Sequence, residues 1–366
     1  MNNKVIGMKL SFLLLAIILL LYALIMAKEF LYPLTFGILI SYLLYPIVNY
    51  LEKRGFPRIF SILVPIILAV AIVAIIAIAV VKRMNLFLDD LPQFKEKTIE
   101  HLTIIQQYVE NNFGVSASRL KNFIVNSIFD LGKQSGKLFS ATTGTLFALF
   151  MQPVYVFLFL YYRTKFAYFI LQLTGREYRL ITINILREIA TVVTRYMLGV
   201  TTVVFILCFF NSLGLLIIGL KYALLIGVIQ ALFSFIPYFG NVIGGAMTLL
   251  FALLTQDSEV IAIRILAFVF IVHFFENNLL SPYIVGNNIR LNPFVIIIGL
   301  IAGAMIWGVP GMLVTIPFLA MLKIILKRIP RLEPYAYLLG TRGTKRHALT
   351  RQNLMRFLGK WKKKSV

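Results

Sequence analysis

Glu276 and His273 stand three residues apart inside an apolar stretch, so on a helix they share one face, and Asn277 follows directly. A carboxylate so placed can take up and release a proton, and an ionisable group among membrane-length apolar runs is a functional-site candidate. The surrounding segment, 276–293, also carries five asparagines and two prolines. Two uses fit Glu276 and Asn277. They couple proton movement to release of a substrate, or they hydrogen-bond the broken backbone nearby, since buried polar groups need partners. His273 taken alone also fits a satisfied interior histidine.

A second set of polar residues precedes this one. Gln230, Ser234, Tyr238 and Asn241, with Asn211 upstream, offer uncharged donors and acceptors that suit a small hydroxyl-rich molecule better than a cation. The same residue types also serve as glue between membrane helices. Catalysis finds no support: there is no phosphate-binding G-x-x-x-x-G-K-[ST] loop and no H-E-x-x-H pair. The three histidines, His101, His273 and His347, are far apart, and Cys208 is the single cysteine. No catalytic residue, metal, cofactor or disulfide is expected.

The elements that must position these groups are membrane helices. Of the 366 residues 60% are hydrophobic and only 14% charged, with a mean hydropathy of +0.89, well outside the range of soluble domains. A helix crossing the hydrocarbon core needs roughly 20 apolar residues. Such runs fall at 10–27, 30–51, 59–81, about 145–162, 196–220 and about 261–280. The first follows Lys4 and Lys9 without a small-x-small cleavage site and reads as a retained signal anchor. Short basic loops, with Lys53, Arg54 and Arg58 and later Arg163 to Arg187, place those connections in the cytoplasm. Residues 82–140 form a mixed-charge helical insert, expected on the outer face. From Lys323 onward thirteen Lys and Arg face one acid, Glu333, giving +12 of the chain's +22. That tail suits anionic lipid, with Leu354, Phe357, Leu358 and Trp361 at helical spacing among its cations, and nucleic-acid binding is not expected.

Two further apolar stretches, 222–255 and 294–326, are too long for one span and too short for two. As straight helices each would reach about 50 Å. Both are broken near the middle, the first around Pro237 and Gly240, the second around Pro310 and Gly311. They read as re-entrant helical hairpins, the alternative being one kinked, tilted helix each. Because each follows a single span, the order span-hairpin occurs twice, and the two halves would have inverted topology, a recurring transporter architecture.

Three motifs in this order carry a family resemblance. They are Ile236-Pro237-Tyr238-Phe239-Gly240-Asn241 with Gly244 and Gly245; Glu276-Asn277-Asn278 to Pro282 with Gly286 to Pro293; and Gly308 to Gly311 followed by Ile316-Pro317. In them the chain resembles the autoinducer-2 exporter family of bacterial membrane transporters. The resemblance implies seven or eight spans, no nucleotide hydrolysis and a homo-oligomer, with pentamers described among similar proteins. It implies export of the signalling furanose autoinducer-2, a quorum-sensing molecule, or alternatively sodium or lithium/proton antiport.

The expectation is thus an all-α integral membrane protein of the bacterial inner membrane. It has about seven to eight transmembrane helices and two re-entrant hairpins in an inverted repeat. Residues 1–81 hold three spans, 82–140 the insert, 141–327 the transport core and 328–366 the basic tail. The function expected is secondary transport of a small polar molecule outward. A passive oligomeric channel is the other alternative.

Overall fold

The computed structural model describes residues 3–90, 143–255, 259–285 and 290–341, with positions 99, 103, 107 and 111. Most of the insert, the tail beyond 341 with the stretch expected to meet anionic lipid, and Gly286 to Ile289 lie outside the described residues. Among the described residues every regular element is helical. They run α1 (Asn3–Met26), α2 (Lys28–Lys53), α3 (Arg58–Asp89), α4 (Thr143–Leu173), α5 (Arg179–Ile218), α6 (Ala223–Phe233), α7 (Phe239–Thr255) and α8 (Glu259–Phe275). A π-helix (Glu276–Val285), α9 (Pro293–Trp307), α10 (Val309–Arg328), a 3-10 turn (Pro330–Leu332) and α11 (Glu333–Leu339) follow.

Helix is what a lipid environment demands, because a backbone without water must satisfy its own N–H and C=O groups. Six of the described helices are long and apolar enough to cross a membrane, with shorter apolar helices between them. Their outward side chains, such as Ile67, Ile75 and Phe270, are large, apolar and more than half exposed. Such faces are costly in water and at home among acyl chains. The protein is an all-α membrane protein.

Several helices outrun the spans read from hydropathy; the fourth, for one, continues past Tyr162 to Leu173. The third continues past Val81 to Asp89, and the fifth begins at Arg179 rather than near Tyr196. Hydropathy ends where charge begins, but a helix ends only where its backbone is stopped. Arg and Lys are good helix formers, and neither Pro nor Gly occurs between Arg179 and Met197.

The chain divides into two compact units, with boundaries inside α4, inside α5 and after the π-helix. Unit 1 holds residues 1–166 and 194–286; unit 2 holds 167–193 and 287–366. In unit 1, α2, α3 and α4 bury Leu44, Val48, Ile62, Ile66, Val156 and Leu160 against one another. Glu52 pairs with Arg163 at one end, and Arg58 donates to the Leu160 carbonyl at 3.3 Å. A second core of Leu215, Leu220, Ala223, Ile226, Ala252, Ile265 and Val269 joins α5 to α8.

At the other end of α3, Asp90 is bound by the Lys221 ammonium at 2.6 Å and by the Tyr222 hydroxyl. These hydrogen bonds, Lys221 first, hold its carboxyl below the usual aspartate range. A depressed carboxylate stabilises the fold above its unfolded pKa, about 3.9, and loses that contribution as pH falls through the lower folded value. Amide protection factors of residues 221–223 are therefore expected to fall once the pH drops below the ordinary aspartate range. Hydrogen exchange measured from pH 6 to 2, with Asp90→Asn showing low protection throughout, checks this.

Both long apolar stretches fold back on themselves. In unit 1, α6 ends at Phe233 and α7 starts at Phe239, and Thr248 on α7 reaches Gln230 on α6 at 3.2 Å. In unit 2, α9 and α10 pack together, with Thr315 Oγ1 donating across the pair to the Gly299 carbonyl at 3.3 Å. Each is a helix-turn-helix, so the single kinked helix is set aside. The second reversal sits at Gly308, whose φ of 67° and ψ of −141° belong to glycine. Pro310 and Gly311 then lie in the first turn of α10, where a missing N–H costs nothing. Gly308→Ala is expected to destabilise the protein by roughly 1–2 kcal/mol, read as a lower thermal midpoint in detergent.

Candidate functional site

The site is built in unit 1 around the point where α8 becomes a π-helix. From Glu276 the hydrogen-bond pattern widens for ten residues. The local sequence explains why the α pattern stops: Pro282 has no N–H to give, and Asn278 Nδ2 caps the Phe274 carbonyl at 2.8 Å. Stretches of this kind are uncommon and tend to occur at functional sites.

Glu276 is the residue that this change turns inward. It is 5% exposed. The Asn241 side chain donates to its carboxylate, and Ser234 Oγ donates to Asn241 Oδ1 at 3.0 Å. A three-residue relay thus runs from the turn of the first hairpin, through the first turn of α7, to the start of the π-helix. Asn241 can face Glu276 because Gly245, one turn on, lets α7 lie close to α8. A Cβ there would come within 2.8 Å of His273 Cε1 and 2.9 Å of Val269 Cγ1. His273 is half-buried in that contact.

A second polar group lies on the same hairpin. Gln230, 3% exposed, accepts from Thr248 Oγ1 through Oε1, and its Nε2 has no partner. Asn211 on α5, 2% exposed, has an unpartnered Oδ1. Gly227, one turn before Gln230, packs on Ser212, so α5 and α6 are in close contact beside Asn211. An unpaired buried amide atom costs about 1–3 kcal/mol, so each of these two offers a polar ligand a group to satisfy. One is an acceptor and the other a donor.

Not every residue singled out from the sequence joins this cluster. Tyr238 is 52% exposed in the hairpin turn, with φ at 66°. Asn277 is exposed because successive residues in a helix point about 100° apart, so the turn that buries Glu276 presents Asn277 outward. Pro237 lies in the turn of the first hairpin and Gly240 in the first turn of α7, where its N–H donates to the Ile236 carbonyl at 2.8 Å. Thr248 belongs to the cluster and was not singled out. Its signal was present in the spacing Asn241, Gly244, Gly245, Thr248, one face of α7. Among the described residues no three His, Cys, Asp or Glu side chains converge as a metal site would require.

The family model for AI-2E family transporters matches residues 13–331, which include both hairpins and the π-helix. YrrI of Bacillus subtilis is 29% identical over 315 residues, 84% of this chain and 88% of that protein. YueF of the same organism is 27% identical over 321 residues, 83% and 86% of the two chains. Both carry names that say transport and give no substrate. TqsA of Escherichia coli, named as an AI-2 transport protein, is 20% identical over 349 residues, 91% of this chain and 96% of its own.

Proposed function

Because the chain belongs to the AI-2E family of transporters, a family of transport proteins and not of enzymes, we propose that it exports a small, uncharged, hydroxyl-rich molecule across the bacterial inner membrane. Its substrate is autoinducer-2, the molecule for which TqsA is named, or a related furanose. The observation that carries this reading is the pair of orphaned amide atoms, Asn211 Oδ1 and Gln230 Nε2. A hydroxyl both donates and accepts, so a polyol satisfies the two together. A sodium or lithium ion would take the oxygen and leave the N–H unpaired, which counts against cation antiport as the main activity.

Glu276 supplies the coupling. Protonated, it is neutral and its O–H becomes a donor; ionised, it attracts the Asn241 amide. The Glu276–Asn241–Ser234 relay leads to the turn of the first hairpin, so a change of charge at Glu276 is felt where the hairpin reverses. In this reading the hairpins are re-entrant, with their turns facing protein or water rather than lipid. Alternation of access moves them against the remaining helices.

The test is ligand-induced stabilisation of the purified full chain in detergent. Autoinducer-2 is expected to raise the thermal midpoint in a saturable manner, while sodium and lithium chloride at equal ionic strength do not. Stabilisation by the cations alone would overturn the substrate assignment.

A further inference from the structure

Unit 2 contains a cavity of about 140 Å³ that the transport reading does not use. Its walls come from three segments of that unit. Ala320, Lys323, Ile324 and Lys327 recur at i, i+3, i+4 and i+7, one face of the last turns of α10. Glu188 and Val192 stand one turn apart on α5, and Arg290 enters from the segment before α9.

The charge balance of this cavity is one-sided. Three cations, Arg290, Lys323 and Lys327, face it, and the one acid, Glu188, already pairs with Arg328 at 2.8 Å. Part of this positive charge serves the helix itself, since Lys327 and Arg328 lie in the last turn of α10, where cations offset the dipole. Arg290 has no such role. It is brought in from another segment and held there. Leu291 pairs with Gly340, the Asn292 N–H donates to the Leu339 carbonyl at 2.9 Å, and Lys323 Nζ donates to the Arg290 carbonyl at 2.6 Å. Arg290 also adopts a positive φ of 40°, uncommon for a residue with a side chain.

Like charges gathered in a fixed geometry repel unless an anion joins them. Arginine's planar fork together with lysine point charges suits the oxygens of a phosphate. The remaining lining, Val192, Ala320 and Ile324, is apolar, as the first methylenes of a lipid's acyl chains would require. Basic pockets between membrane helices take anionic headgroups. We propose that this cavity binds a phosphate group, carried by the headgroup of an anionic phospholipid or free in solution. It ties the base of the second hairpin to the first turns of α5.

Native mass spectrometry of the full-length protein in detergent tests this with phosphatidylglycerol, phosphatidylcholine and inorganic phosphate added separately. The expected result is one tightly held phosphatidylglycerol, retained about tenfold better than phosphatidylcholine. The Arg290→Gln/Lys327→Gln double variant loses that preference, Arg290→Lys keeps it, and the loop control Arg176→Gln leaves it unchanged. Saturable binding of inorganic phosphate, also lost in the double variant, supports the phosphate site and assigns it to a free anion. Equal retention of the two lipids with no phosphate binding would overturn the proposal, as would a preference that survives the double substitution. Should that variant not fold, a phospholipid with a photoreactive headgroup is cross-linked to the unaltered protein. Label within 188–192 or 320–327 supports the site; label confined to residues beyond 341 contradicts it.

Discussion

Glu276→Gln is expected to lower coupled transport by at least about tenfold, the effect of about 1.4 kcal/mol, while the protein stays folded in the membrane. Glutamine has nearly the size of glutamate, and its Oε1 can still accept from Asn241, so the hydrogen-bonded relay through Asn241 to Ser234 survives. What it loses is the capacity to gain and lose a proton. A purely structural Glu276 would therefore tolerate glutamine, whereas a coupling Glu276 would not. Glu276→Ala is the harsher change: it also strands the Asn241 amide, adding a cost of about 1–3 kcal/mol, and flux and thermal stability are both expected to drop. Comparing flux and thermal midpoint for the two variants separates the roles.

Asn211→Leu is expected to act in opposite directions on stability and transport. The asparagine Oδ1 is buried without a partner, so an apolar side chain of similar size removes a desolvation penalty of about 1–3 kcal/mol. The thermal midpoint in detergent should hold or rise. Substrate flux should fall about tenfold or more, because one buried hydrogen bond to the ligand is lost and its hydroxyl is left unpaired in the site. If Asn211 were glue between helices, both quantities would fall together. The same logic applied to Gln230 is less clean, since Gln230 also accepts from Thr248.

Much of this arrangement is legible in the sequence, for definite reasons. Apolar runs mark the membrane helices because lipid tolerates little else, and proline with glycine near the centre of a 30-odd-residue run marks a reversal. Glu276 stands out because a carboxylate is rare in such surroundings. The helix ends are less legible: α3 and α5 extend beyond the apolar runs because charge ends hydropathy without ending a helix. The π-helix leaves no periodic signal of its own, since Asn278 and Pro282 announce a break without saying which kind. Nor does the sequence alone say that Asn241, rather than the adjacent Asn277, meets Glu276, because that depends on how closely Gly245 lets two helices approach. Thr248 is read as one more residue of an apolar helix until Gln230 is placed opposite it.

Autoinducer-2 movement through the Glu276 cluster is expected to be coupled to protons. The most direct test loads everted membrane vesicles containing the protein with a pH-sensitive dye and adds autoinducer-2, sodium and lithium separately, for the unaltered chain and for Glu276→Gln. A pH change that follows autoinducer-2 alone and disappears in the variant is the predicted result. Proton release driven by sodium or lithium and lost in the variant would contradict it in favour of cation antiport. Autoinducer-2 flux without any pH change, undiminished by Glu276→Gln, would contradict it in favour of a passive channel.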